Sequence, residues 1–370
     1  MPDINTDKNV YLLGAGFSKE VGLPLQDDFV LIAKEVYSNN RDQFNHFQRV
    51  FEYQDTLTKM KYYLNYPLLN LEHLFNLIEM DMFYSNTKRL KNIKKDFTKL
   101  ICDVIIEKTP FPFTHNPAGH LMMHDAFRHY LSFIRLLIKN DNNDLVIHND
   151  SIITFNYDLV LEAAACIYNW KRVEKLGDKY IQGNIRGKKD LLKFNTLFDK
   201  INIINDDVSK YYKKDSYTSY FPDSNIFSNG DKSIKLIKLH GSINWKTGKN
   251  REMFIVPPTW KKSDTQIRSL WDKAYSELTT AKRIIVIGYS FPEADIYVKS
   301  LLALALNKNN ILQNIYFINP DKDIGKKSSL LLLDNYFEKY CSYKEWKFSE
   351  FISSTEGKQF IRDNLNREVT

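Results

Sequence analysis

Five short clusters in this 370-residue chain carry residues able to do chemistry: GAGFS at 14–18, TFNYD at 154–158, LHGS at 239–242, GYSFPEAD at 288–295 and NPD at 319–321. In the first, Gly14, Ala15, Gly16, Phe17 and Ser18 follow an apolar run and open a helical turn. That places backbone N–H groups where a pyrophosphate could sit, and glycine lets the chain turn and approach an anion closely. A tight strand-to-helix turn without ligand would use the same residues. The cluster is not a dehydrogenase fingerprint, which needs a glycine where Lys19 stands, nor a phosphate loop ending in Gly-Lys-Ser/Thr. Hydride transfer and ATP hydrolysis are therefore disfavoured.

Asn156 can both donate and accept, so it can hold a ribose hydroxyl or an attacking water; otherwise it is a turn residue. Asp158 could fix a carboxamide or cap the helix that starts near Leu159. His240 has the side chain most suited to general base catalysis near neutral pH, although a lone histidine is also a common structural residue. Gly288 and Ser290 offer backbone and hydroxyl contacts to a phosphate or ribose. Asn319 could meet the hydroxyls of an adenosine, but Asn-Pro-Asp is also an ordinary turn.

The elements that must position these clusters are short apolar runs at 10–13, 151–155, 234–239, 253–256, 283–287 and 315–318, which predict strands. Helices are expected from the Asp27-Asp28 cap toward Tyr37, over 159–168, from Pro292 through Leu306, and in the tail at 349–364. Each cluster stands at or just after the carboxyl end of one such strand, where ligands bind in doubly wound sheets. The expected architecture is α/β, a Rossmann-like parallel sheet with a large, mostly helical insertion. Residues 1–40 and 150–335 form the core, 41–149 the insertion, 170–233 a variable segment within the core, and 336–370 a helical tail.

Composition sets outer limits. The hydrophobic share is 43% and the charged share 26%, as in ordinary globular chains. No apolar stretch is long enough to span a bilayer, and the first residues do not read as a secretory signal. The three cysteines lie far apart and form no metal-ligand pair, so no metal is expected and a cytoplasmic location is. A net charge of +7 is scattered in short basic runs, which does not indicate direct nucleic-acid binding.

Taken in order, GAGFS-x3-G-x-P, TxNxD, LHGS, GYS and INPD resemble the sirtuin superfamily, and within it the bacterial SIR2-like proteins of anti-phage defence systems. The resemblance covers residues 9–37, 150–166 and 234–322. It implies an NAD-binding crevice with Gly14, Ala15, Gly16, Phe17 and Ser18 as the pyrophosphate loop. Asn156 and Asp158 would lie at the nicotinamide ribose and nicotinamide, and His240 would be the catalytic histidine. Gly288 and Ser290 would lie on the phosphate side, and Asn319 at the adenosine ribose. The departures are the missing four-cysteine zinc ribbon, Leu25-Gln26-Asp27 in place of Asp-Phe-Arg, and Phe155 in place of glutamine. These tell against peptide deacylation and leave glycosidic cleavage intact.

The expected activity is hydrolysis of NAD+, as substrate, to nicotinamide and ADP-ribose, with Asn156 and His240 catalytic. ADP-ribosyl transfer, deacylation and a non-catalytic NAD-binding module are the alternatives. The resemblance further implies depletion of NAD during phage infection beside a partner such as a HerA-type ATPase, and the aromatic stretches of the insertion, which need burial, point to a homo-oligomer. Its insertion would be free to lie over the crevice.

Overall fold

The computed structural model describes residues 7–57, 70–140, 146–176, 193–195, 203–205, 233–247, 252–256, 265–292, 295–325 and 339–365. Seven strands form one sheet: β1 (Asn9–Leu13), β2 (Ser151–Thr154), β3 (Lys193–Asn195), β4 (Ser233–Lys238), β5 (Arg283–Ile287), β6 (Asn314–Ile318) and β7 (Cys341–Lys344). Their order is β7-β6-β5-β1-β2-β4-β3, and every neighbouring pair is parallel. β1, β2 and β5 are buried along their whole length. This is why they read as unbroken apolar runs rather than alternating ones.

Successive side chains point to opposite faces, and each face has its own cluster. Tyr11, Leu13, Ile285 and Ile287 pack with the helices Val160–Leu176, Phe348–Ser353 and Thr355–Leu365 and with the insertion. Val10, Leu12, Ile284 and Val286 pack with the helices Thr265–Thr279 and Ile296–Lys308. The fold is thus α/β, with a Rossmann-like parallel sheet between two helical layers. The chain runs outward from β1 through β2 to β3 at the edge, steps back to β4, then crosses to β5 on the other side of β1. The topological switch point, where ligands bind in such sheets, falls between β1 and β5.

The described part of 41–149 contains the helices His46–Thr56, Leu71–Tyr84, Lys88–Lys108 and Arg128–Leu136. The proline-bearing break forms a hairpin, Phe113–His115 with Leu121–Met123, turned at Gly119 with φ of 78°. The apolar residues of these helices join the cluster on the first face of the sheet instead of forming a core of their own.

Two expectations need correction. Residues 336–370 do not form a purely helical tail, because β7 pairs parallel with β6 at the sheet edge. Its sequence, Cys-Ser-Tyr-Lys, lacks the apolar run that betrays a buried strand, since an edge strand is covered less. The LHGS motif also does more than end a strand: Gly241, with φ of 82°, turns the chain into the strand Gly241–Thr247. That strand pairs antiparallel with Glu252–Ile255 and Ile203–Asn205. Of the segment 170–233, the structure describes the end of the helix Val160–Leu176, β3, Ile203–Asn205 and the first residue of β4; the rest lies outside the described residues.

At the amino end of the sheet, Glu277 meets Lys8 at 2.6 Å and Lys235 at 3.2 Å, and accepts a hydrogen bond from Ser151. Burial works to raise the Glu277 carboxyl, but the hydrogen bonds from Lys8 and Ser151 and the two lysine charges hold it below its ordinary range. Burial pushes the Lys8 ammonium down. A carboxylate lowered in the folded state adds stability above its unfolded pKa and loses it as pH falls through the folded value. We expect urea stability to fall as pH drops below about 4.3, the ordinary glutamate value. Glu277→Gln should be less stable at pH 7 and show a flatter acid limb. An unchanged acid limb in that variant would remove this pair from the account.

Candidate active site

The five clusters meet at the carboxyl ends of the strands. Gly14 N–H donates to Ile287 O at 3.0 Å and Gly16 N–H to Gly288 O at 2.9 Å, so the β1 loop lies on the β5 loop backbone to backbone. A Cβ on Gly14 would stand 2.6 Å from Gly288 O, and one on Gly16 2.9 Å from Gly288 Cα. Gly288 has φ of 62°, and its Cβ would stand 2.5 Å from Gly16 C. The glycines are therefore fixed by the contact between two loops, whatever an anion requires. Phe17 is 1% exposed and faces the core, so it can offer a ligand its backbone alone. The loop is held from behind by Tyr130, whose hydroxyl donates to Phe17 O at 2.7 Å.

Asn156 is joined to this loop. Its Nδ2 donates to Gly14 O at 2.9 Å and to Ser18 Oγ at 3.0 Å, and its own N–H donates to Thr154 Oγ1 at 3.1 Å. A carbonyl can only accept, so the amide nitrogen must face Gly14. Both amide hydrogens are used, and Oδ1 takes no donor among the described residues. Asn156 thus presents an acceptor to a ligand.

Asp158 is buried and accepts from Val160 N–H at 3.0 Å, so it caps the helix. Burial pushes its carboxyl up, against the pull of Lys238 and the hydrogen bonds from Val160 and Ser18. Ser18 therefore links Asn156 and Asp158. Asn319 is likewise engaged by the protein: Nδ2 donates to Tyr289 O at 3.2 Å and Oδ1 accepts from Asp321 N–H at 3.0 Å. Ala15 is half-buried and Ser290 exposed.

His240 is 3% exposed and sits among the rings of Phe155, Tyr157 and Tyr289, the first two centred 5.7 and 6.3 Å from its own. Its Nε2 lies 3.7 Å from Asp295 Oδ2, which also accepts from Tyr289 Oη at 2.8 Å. The HGS and GYS loops, from strands on opposite sides of β1, therefore meet directly.

The sequence reading missed Lys238, Glu162, Asp295, Tyr289 and Glu72. Lys238 is 2% exposed; it pairs with Glu162 at 2.8 Å and donates to Asp158 O at 2.6 Å and Ser242 Oγ at 2.8 Å. It ties the NYD loop to the HGS loop from beneath. Glu72 comes from the insertion, where the helix Leu71–Tyr84 starts against the loop after Pro24, with Leu71 N–H on Gln26 O at 3.1 Å and Gln26 on Glu72. Its charge reaches both Tyr157 and Tyr289. The signals available were the lysine of SIKLIK, at an inward position just before LHGS, and the tyrosine and aspartate within GYSFPEAD, to which no role was given.

A model of the SIR2-like domain family matches residues 150–341, just over half of the chain. The chain belongs to the SIR2-like domain family. The matched segment holds Asn156, Asp158, His240, Gly288, Ser290, Asp295 and Asn319, whereas the glycine loop that anchors Asn156 precedes it. Among solved structures, the chain is similar to a Sir2 homologue mutant in complex with 2'-O-acetyl ADP-ribose, with 15% identity, 98% and 95% of the two chains covered and a TM-score of 0.40. It is also similar to a Sir2 homologue–NAD complex, with 16% identity, 97% and 90% covered and a TM-score of 0.38. No curated protein matches it.

In this SIR2-like site the buried pair under the loops makes a quantitative expectation. Removing one partner of a buried ion pair costs about 3–5 kcal/mol, while replacing both with apolar side chains is often neutral. Lys238→Met should therefore lower urea stability by that order, and adding Glu162→Met should recover most of it. A single variant as stable as the parent would contradict the role given to Lys238.

Proposed function

We propose that the chain is an NAD+ hydrolase that cleaves the nicotinamide–ribose bond and releases nicotinamide and ADP-ribose. The observation that supports this most is the pairing of a fixed acceptor with a buried histidine. Asn156 is held by Gly14 and Ser18 with Oδ1 left to receive a proton-bearing group. His240 lies in the loop tied to the Asn156 loop through Ser242 Oγ and Tyr157 O. The crossing of the GAGFS and GYS loops at the switch point suits a dinucleotide laid over β1 and β5. Gly14, Ala15, Gly16, Phe17, Gly288 and Ser290 would meet its phosphates, and Asn319 its adenosine side. Ser18 and Asp158 would act on it by holding Asn156 and the start of the next helix.

Nicotinamide leaves as a neutral group and positive charge builds on the ribose ring. Asn156 Oδ1 accepts from the water or ribose hydroxyl that approaches the anomeric carbon and so orients it. His240 takes the proton released when the new C–O bond forms. Buried carboxylates at Asp158, Asp295 and Glu72 favour the cationic ring over the neutral ground state, which is the sense electrostatic stabilisation requires. Burial also keeps bulk water from competing with the positioned nucleophile.

Purified protein incubated with NAD+ should release nicotinamide and ADP-ribose in equal amounts. Asn156→Ala and His240→Ala should each lower turnover by about 10²–10⁴-fold with native circular dichroism. Near-normal turnover in either variant would refute the assigned roles. ADP-ribose appearing on an acceptor instead of free in solution would favour transfer.

The proposed setting is a cytoplasmic homo-oligomer that depletes NAD during phage infection beside a partner such as a HerA-type ATPase. Native mass above that of one chain, and a drop in cellular NAD on infection, are the expected outcomes. A monomer with unchanged cellular NAD would end this part of the reading and leave the chemistry standing.

A further inference from the structure

The helix Ile296–Lys308 opens at Asp295, the position from which an aspartate ordinarily turns back to accept from the helix's first N–H groups. Asp295 makes no such bond. Its carboxylate is 1% exposed and its Oδ2 accepts from Tyr289 Oη at 2.8 Å and faces His240 Nε2 at 3.7 Å. Asp158 shows the alternative in the same site, since it does cap its helix, at 3.0 Å from Val160 N–H. A carboxylate buried at a helix start without capping it must be held by other donors; Tyr289 Oη is one, and His240 Nε2 stands at ion-pair distance, a few tenths of an ångström outside a hydrogen bond. The chain around it is also under constraint: Phe291 is the one non-glycine residue with positive φ among the described residues, at 52°. Its ring packs on Tyr289 at 4.7 Å between centroids.

We propose that Asp295 is a positioning residue, latched by Tyr289, that holds His240 with Nε2 protonated and so makes Nδ1 the basic nitrogen. The inference rests on the hydrolase reading for what the base acts on. In the step, Nδ1 takes the proton of the water or ribose hydroxyl as its oxygen bonds to the anomeric carbon. The electron pair of the nicotinamide–ribose bond leaves with nicotinamide, the proton stays on His240, and Asp295 remains ionised. This is how an aspartate serves the histidine of a hydrolytic triad, where it fixes tautomer and orientation without taking the proton. Among the described residues, the ionisable groups near His240 include Tyr289 from the Asp295 loop, Tyr157 from the β2 loop and, acting on both tyrosines, Glu72 from the insertion. Burial and the Asp295 charge push the Tyr289 hydroxyl well up, so it stays a donor to the carboxylate.

Asp295→Asn keeps the shape and reverses the polarity. Tyr289 Oη would hold the new amide oxygen, and the amide nitrogen would then donate to Nε2 and force the proton onto Nδ1. In full-length protein with 15N-labelled histidine, the wild type should show His240 as the Nε2–H tautomer and Asp295→Asn as the Nδ1–H tautomer. kcat for nicotinamide release should fall by about 10²–10⁴-fold with KM little changed. Tyr289→Phe should give a mixed tautomer and a smaller fall, and it carries the test should Asp295→Asn not fold. Unchanged tautomer and kcat in a folded variant would overturn the proposal. A wild type that releases no nicotinamide would instead overturn the hydrolase reading, and the tautomer measurement would still decide the role of Asp295.

Discussion

The crossing of the β1 loop over Gly288, where a Cβ on Gly14, Gly16 or Gly288 would run into the facing backbone, is the contact on which the site depends. It is a contact of main chain on main chain, closed by Gly14 N–H on Ile287 O and Gly16 N–H on Gly288 O. Once it is made, Gly14 O is fixed in space, and with it the amide of Asn156. The same crossing fixes where Tyr289 emerges from β5, and so where Asp295 is latched. Any side chain at Gly288 would need both a strained backbone and the space of Gly16. A glycine pattern of this kind looks like a ligand motif because ligand loops and loop crossings place the same demand on the backbone.

That double meaning explains what could be read from the sequence and what could not. β1, β2, β5 and β6 were legible because strands buried on both faces must be apolar throughout and stop abruptly at small or polar residues. Asn156 and His240 were legible because they stand at such stops. Lys238 was not, since a lysine in a strand reads as solvated until its burial against Glu162 is known. Asp295 was hidden by a sound rule: an acid just before a helix is usually a cap, and no local pattern records that this one turns away. β7 was hidden by its edge position, which lifts the requirement for apolar residues. Glu72 reaches the site from about 55 residues beyond the glycine loop, through a helix start that no periodicity connects to it.

The aromatic residues have a use that composition alone does not show. Phe17 meets Tyr130, Phe133 and Phe348, with ring centroids 5.1, 5.4 and 4.5 Å away. Phe17 itself comes from the β1 loop, Tyr130 and Phe133 from the insertion, and Phe348 from the segment after β7. Glu20 adds polar ties to the same regions, meeting His129 at 3.0 Å and Ser349 N–H at 2.8 Å. The insertion and the tail are therefore parts of the wall that keeps the glycine loop in place. Packed aromatic pairs of this kind each add about 0.5–1.5 kcal/mol beyond the area they bury, and here that energy is directed at one loop. A change in either distant segment would reach Asn156 through Phe17 and Gly14 without touching a ligand.

Charge is distributed in the site with the same economy of position. Lys238 is buried below the loops, where its bonds to Asp158 O and Ser242 Oγ draw two strand ends together. The carboxylates of Asp295 and Glu72 act on Tyr157 and Tyr289, among the rings near His240. The charge of Lys238 is paired with Glu162 at 2.8 Å. The buried lysine shapes the site while Glu162 balances its charge within hydrogen-bonding distance. The fold, by placing Lys238 at the last inward position of β4, ties two strand ends together with an ion pair that carries no net charge.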